Sequence, residues 1–135
     1  MSNFIEEALE KEGRYSSVPE GTEDKLEKSI LLKAAVGGQN VIPLTSCNGQ
    51  TIRVIHILFD KLKDENDIEY TSMTLADEAG QLYRTSGDYA KQIVLKTVEL
   101  FGLPTKENPY VYEVKEIQSK KNASWKYVGL DLKVV

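Results

Sequence analysis

Residues 51–62 place Ile52, Val54, Ile55, Ile57, Leu58 and Phe59 within eight positions, and this segment does most to restrict the fold. β-Branched and aromatic side chains stiffen the backbone towards extended conformations, so the segment reads as one long β-strand. A tight-turn signal, Asn48-Gly49, precedes it, and the charged stretch 61–67 follows it. Residues 68–75 return as a second strand, with Tyr70, Ser72 and Thr74 on one face and Thr71, Met73 and Leu75 on the other. The chain turns at Asp77-Glu78-Ala79-Gly80, and residues 81–84 form a third, short strand. One strong helix comes next, with Ser86 as N-cap, Asp88 in the first turn, and Gly102 and Pro104 as the stop. Its expected buried stripe is Tyr89, Ile93, Thr97, Leu100 and Phe101, edged by Ala90 and Val94. Residues 110–118 and 124–134 then read as two strands joined by a polar turn. Three strands, a helix and a hairpin match the OB-fold, a mainly β, five-stranded barrel with its helix between strands three and four.

Upstream of this body the pattern is weaker. Residues 29–36 are apolar and fit either a strand or a helical turn before the break at Gly37-Gly38. Residues 3–12 read as a short amphipathic helix, marginal in isolation, and residues 14–22, with Ser16, Ser17, Pro19 and Gly21, as a linker. The expected division is an N-terminal arm and linker over 1–22 and an OB-type domain over 23–135. The apolar side of the arm, Phe4, Ile5 and Leu9, suggests docking on a neighbouring subunit and hence self-association.

Charge modifies this picture. Eight acids against four bases in residues 1–28 account for the whole net charge of −4, leaving thirteen of each sign beyond. From residue 110 onwards five lysines face three acids, so that end is locally basic. Where charge sits matters more to a partner than its total. No apolar run approaches the roughly 20 residues of a membrane span, and no basic stretch leads into an apolar one at the start. The single cysteine, Cys47, excludes an intramolecular disulfide. A cytoplasmic location is expected.

The candidate site lies on the last strand. Its even positions, Val128, Leu130, Leu132 and Val134 after Lys126, suit a core, while Trp125 and Tyr127 fall on the opposite face with Gly129, Asp131 and Lys133. Aromatic rings on a sheet surface stack on bases of any sequence, worth about 1–3 kcal/mol per base. Neighbouring cations meet the phosphates. Lys120, Lys121 and Lys126 supply the cations here. Tyr70, Tyr110 and Tyr112, with Arg53 and Arg84, extend the expected DNA-binding set. The bland alternative is that these aromatics cap the barrel or cover its core.

Other chemistries have little support. His56 is the only histidine and sits in an apolar strand, and with one cysteine it cannot assemble a His/Cys zinc site. Cys47 has no evident activating partner. Asp60, Asp64, Glu65 and Asp67 crowd a loop but match no ion-binding spacing, and Gly37-Gly38 lacks the lysine of a phosphate loop. No cofactor, metal or catalysis is expected. The competing classes are an OB-like protein-interaction module without DNA affinity and a small metal-dependent nuclease using the loop carboxylates.

The order of motifs resembles the small single-stranded DNA-binding proteins of bacteriophages and conjugative plasmids of Gram-positive bacteria. The resemblance runs over about residues 25–135. It rests on Leu31-Leu32-Lys33-Ala34-Ala35, the long Ile/Val strand, Asp77-x-x-Gly80-x-x-Tyr83-x-x-Ser86 entering the helix, Phe101-Gly102-x-Pro104 leaving it, and a Lys-rich hairpin before an aromatic-bearing strand. It implies an OB-fold, no catalysis, and protection of single strands during replication or transfer; the expected partner is single-stranded DNA, with double-stranded DNA as a second candidate. Unlike the broader bacterial single-strand binders, the chain ends in a strand-like segment, without an acidic tail.

Overall fold

The computed structural model describes residues 4–119, 121 and 126–133. The chain runs α1 (Phe4–Glu12), β1 (Arg14–Ser16), α2 (Lys25–Val36), β2 (Val41–Pro43), β3 (Thr51–Lys63), β4 (Glu69–Asp77), β5 (Leu82–Thr85), α3 (Asp88–Phe101), β6 (Tyr110–Gln118) and β7 (Lys126–Leu132). The fold is mainly β. The strands form one curled, half-barrel sheet in the order β2-β5-β4-β3-β6-β7, with β1 added beside β3.

The expected strand–helix–hairpin order is present in β3, β4, β5, α3, β6 and β7, but the sheet holds seven strands and not five. One edge of β3 pairs antiparallel with β4. The other edge is divided, with residues 51–54 pairing with β6 and residues 58–60 with β1. The register with β4 slips between Val54 and His56, leaving Ile55 as the extra residue of a bulge. A bulge shifts the in/out alternation by one. Ile52 and Val54 therefore face the main core before it, and Ile57 and Phe59 after it.

Both faces of the sheet are covered around β3 and β4. On the outer side Leu58, Ala76 and Leu82 pack with Val18 and Ile30 in a second apolar cluster under α2. The ambiguous segment 29–36 thus belongs to a helix. Asp24 caps it by accepting from the Glu27 N–H at 2.9 Å, and Gly37 ends it at φ 67°.

The N-terminal residues are not a separate arm. Ile5 and Leu9, one turn apart, are buried in the main core, so they are not free to dock on a second subunit. Phe4 is half-exposed and meets Tyr15 edge to face at 5.6 Å. The supposed linker supplies β1, and beyond it Ser17 exchanges hydrogen bonds with the backbone of Ile57.

Helix α3 buries Ala90, Val94, Thr97 and Val98, whereas Tyr89, Leu100 and Phe101 are exposed. The inward stripe is rotated from the expected one, with the compact side chains of Ala90, Val94, Thr97 and Val98 facing the core. Its N-cap is Gly87, one residue after the expected Ser86.

Among the described residues β5 and β7 share no ladder. The 3₁₀ turn Leu44–Ser46 lies against both strands and fills the seam, with Leu44 and Cys47 buried in the main core. Asn48 ties this segment to β6 by accepting the Glu116 N–H at 2.9 Å. Among the described residues no helix is long and apolar enough to cross a membrane.

Candidate functional site

The alternation expected for the last strand holds in β7. Val128 and Leu130 are buried in the core, while Tyr127 is 39% exposed. Its ring meets that of Tyr89 edge to face, with centroids 5.3 Å apart and planes at 63°. Tyr89 stands at the start of α3 and is itself exposed, so the two phenols form a paired aromatic surface. Tyr89 belongs to the stripe that the sequence pattern assigns to the helix core, and the structure turns it outward instead. The available signal was its position next to Asp88, in a first turn that can overhang the sheet edge. Gly129 lies beneath both helix and strand, where an added Cβ would reach Tyr89 Cε1 at 3.2 Å.

The cations of this hairpin are mostly paired. Lys126 Nζ lies 3.1 Å from Glu116, Lys115 Nζ 3.1 Å from Asp131, and Lys133 Nζ 3.0 Å from Glu113 and 3.1 Å from Asp131. Hydrogen bonds from Lys133 and Lys115 hold the Asp131 carboxyl below its usual range, and the bond to Glu113, followed by that to Asp131, raises Lys133. All these groups are solvent-accessible, so each pair is individually weak and open to exchange for another anion. Lys121 is exposed. Lys120 and Trp125 lie outside the described residues.

A second group sits on β4 and β5. Tyr70 is 39% exposed and lines a cleft of about 440 Å³ with Ser72, Arg84, Thr85 and Ser86. Arg84 also has a structural task, donating from Nε to Thr74 at 2.9 Å and from Nη2 to the Ala34 carbonyl near the end of α2 at 3.3 Å. Arg53, on the outer face of β3, pairs with Glu78 at 3.3 Å, both half-exposed.

Tyr110 and Tyr112 do not belong to any surface. They are 5% and 0% exposed and pack edge to face at 6.0 Å inside the sheet. On β6 the even positions point inward, and the two phenols fill the barrel where a strand-by-strand reading could have put either face outside. Among the described residues neither hydroxyl has a hydrogen-bond partner. Thr97 stands beside Tyr112 and donates its own proton to the Ile93 carbonyl at 2.7 Å, so towards the Tyr112 hydroxyl it can act only as an acceptor. Burial pushes Tyr110 up to about 12, and Tyr112 is raised as well.

The remaining titratable groups serve the scaffold. His56 is 9% exposed on the outer face of β3. Its Nε2 lies 2.9 Å from Glu27 and its Nδ1 3.0 Å from Ser17 Oγ, which also accepts the Ile57 N–H at 2.9 Å. Thr22 donates to the other oxygen of Glu27. In the neutral ring the proton therefore sits on Nε2, facing the carboxylate, and Ser17 donates to Nδ1. Ser–His–Glu contacts suggest nucleophilic chemistry, but here the serine oxygen is stitched to the strand backbone and the imidazole is saturated. In the acidic hairpin, Asp64 accepts from Asn66 and Ile68 N–H at 2.8 and 3.0 Å and so closes the tip. Among the described residues no group of three or more His, Cys, Asp or Glu side chains could hold a metal ion.

No family model, curated protein or solved structure matches the chain.

Proposed function

We propose that this protein binds single-stranded DNA with little sequence preference, on an OB-type barrel and without catalysis, protecting the strand during phage or plasmid replication or transfer. The observation that carries this reading is Tyr127, turned outward from a strand whose other face is core, with Tyr89 beside it and Lys126 next in sequence. Exposed, mutually braced rings offer π-faces to any base. The pairing of β3 with β4 and β6, of β4 with β5 and of β6 with β7 supports an OB-type order, with β4 and β5 in the places of strands two and three. That face is the one on which OB-folds receive oligonucleotides, and it carries Tyr70 and Arg84.

The test is a titration with oligo(dT) at two salt concentrations, followed by the fluorescence of the single tryptophan, Trp125. Tyr127→Ala should lose about 1–3 kcal/mol of binding, and wild-type affinity should fall steeply with salt. A protein-interaction module without DNA affinity is the second reading. It is favoured by the ion pairing of Lys115, Lys126 and Lys133 and by the exposed apolar end of α3 at Leu100 and Phe101. That reading predicts no response to oligo(dT) at any salt.

A further inference from the structure

Two clefts flank the seam of the half-barrel. The larger, about 440 Å³, runs along β4 and β5 past Tyr70 and Arg84. The smaller, about 230 Å³, lies on β6 and β7 against Tyr127, Lys115 and Lys126. Thr45 lines both. It is exposed at the centre of the 3₁₀ turn Leu44–Ser46, which fills the gap between β5 and β7. The turn is anchored from below by buried Leu44 and Cys47, and Ser46 Oγ donates to the Pro43 carbonyl at 2.7 Å. Its geometry is therefore fixed, with the Thr45 side chain on the outside.

Charge is distributed to match. In a protein of net charge −4, no carboxylate among the described residues lines the larger cleft. Among the described residues the one in the smaller cleft, Glu116, is offset by Lys126 at 3.1 Å. Eight of the 21 acids sit on α1 and at the hairpin tip around residues 64–69, the latter adjoining Tyr70 in sequence.

Resting on the DNA-binding reading above, we infer that the two clefts are one track: a single strand stacks bases on Tyr70 at one end and on Tyr127 at the other, and its phosphate backbone crosses the seam over Thr45. The seam turn is then a contact in its own right as well as a plug in the core. A polyanion passing over an exposed, rigid position responds to charge placed there, with opposite signs for opposite charges.

Thr45→Lys and Thr45→Glu test this with oligo(dT) of about 6 and about 20 nucleotides, one near the lower end of the site sizes of single OB-folds and one beyond their upper end. Thr45→Lys should tighten binding of the longer strand and steepen its log–log salt dependence by about 0.7, the value for one added phosphate contact on a single strand. Thr45→Glu should weaken it by about tenfold or more. Tyr70→Ala and Tyr127→Ala should each weaken the longer strand, while the shorter one feels them less, because it can settle on the remaining ring. Wild-type binding weakened by Tyr127→Ala but indifferent to both Thr45 changes overturns the track and leaves the DNA-binding reading standing. Equal weakening by lysine and glutamate overturns it too. Failure of the wild type to bind either oligonucleotide removes the DNA-binding reading itself.

Discussion

At Gly129 a side chain fits only if Ile117 and Tyr89 give way. A Cβ would collide with Ile117 Cδ1 and press on Tyr89 Cε1 at 3.2 Å, so Gly129→Ala should cost about 1–3 kcal/mol by overpacking. It should also disturb the Tyr89–Tyr127 pair, read as a lower urea midpoint together with weaker oligo(dT) binding. The buried phenols have the opposite problem, since each hydroxyl lacks a partner. Tyr110→Phe removes an unsatisfied polar group and should raise stability by about 1 kcal/mol in denaturant unfolding. Their titration sets an alkaline limit. Unfolded tyrosine ionises near 10, whereas burial pushes Tyr110 up to about 12 in the folded protein. The folded state then holds a proton that the unfolded chain releases. Stability should be intact below pH 10 and fall as pH climbs towards 12, and Tyr110→Phe should flatten that decline in urea midpoints measured across the range. At this scale the sequence was only half legible. Period-two alternation placed Tyr127 and Val128 correctly, since Val128, Leu130 and Leu132 mark one face as apolar without ambiguity. It could not place Tyr110 and Tyr112, because tyrosine suits a core and a surface equally and β6 carries valine and isoleucine on its other face as well.

Among the elements, β3 depends on the segment that crosses it. Ser17, His56, Glu27 and Thr22 form a hydrogen-bonded chain that joins β1, α2 and the strand. Ser17→Ala leaves the buried Ile57 N–H without its side-chain acceptor and should cost about 1–3 kcal/mol, with faster amide exchange at Ile57 as the local signature. This chain was hidden in the sequence because its members lie up to 39 positions apart and each is ordinary alone. The long strand was legible from its composition, but its bulge at Ile55 was not, since both faces there are apolar and a one-residue slip leaves no gap in the pattern. Helix α3 was recognisable from its stop signals. Its facing was misread because the largest side chains were given the core, and Ala90 and Val94 hold that position instead.

For the molecule as a whole, the N-terminal helix is part of the fold. Ile5 is fully buried in the main core, so Ile5→Ala should cost about 2–5 kcal/mol, a loss that denaturant unfolding reads directly. A short amphipathic pattern is the same whether its apolar side meets its own chain or another, so the sequence carried no mark of this docking. The order of strands and helix was visible because turn signals separate them, whereas the parallel pairing of β2 with β5 links residues about 40 apart and left no local trace.

The seam between β5 and β7 has a mechanical consequence. Elsewhere the wall is held by backbone rungs, but between β5 and β7 it is held by a wedge, which opens only when the β2–β5 ladder at residues 41–43 and the buried Leu44 anchor give way together. Solvent entering by that door meets the Cys47 thiol, sealed at 1% exposure in the closed state. The rate at which a thiol reagent labels Cys47 is then a clock for how often the barrel unlatches, and DNA lying across the turn should slow it.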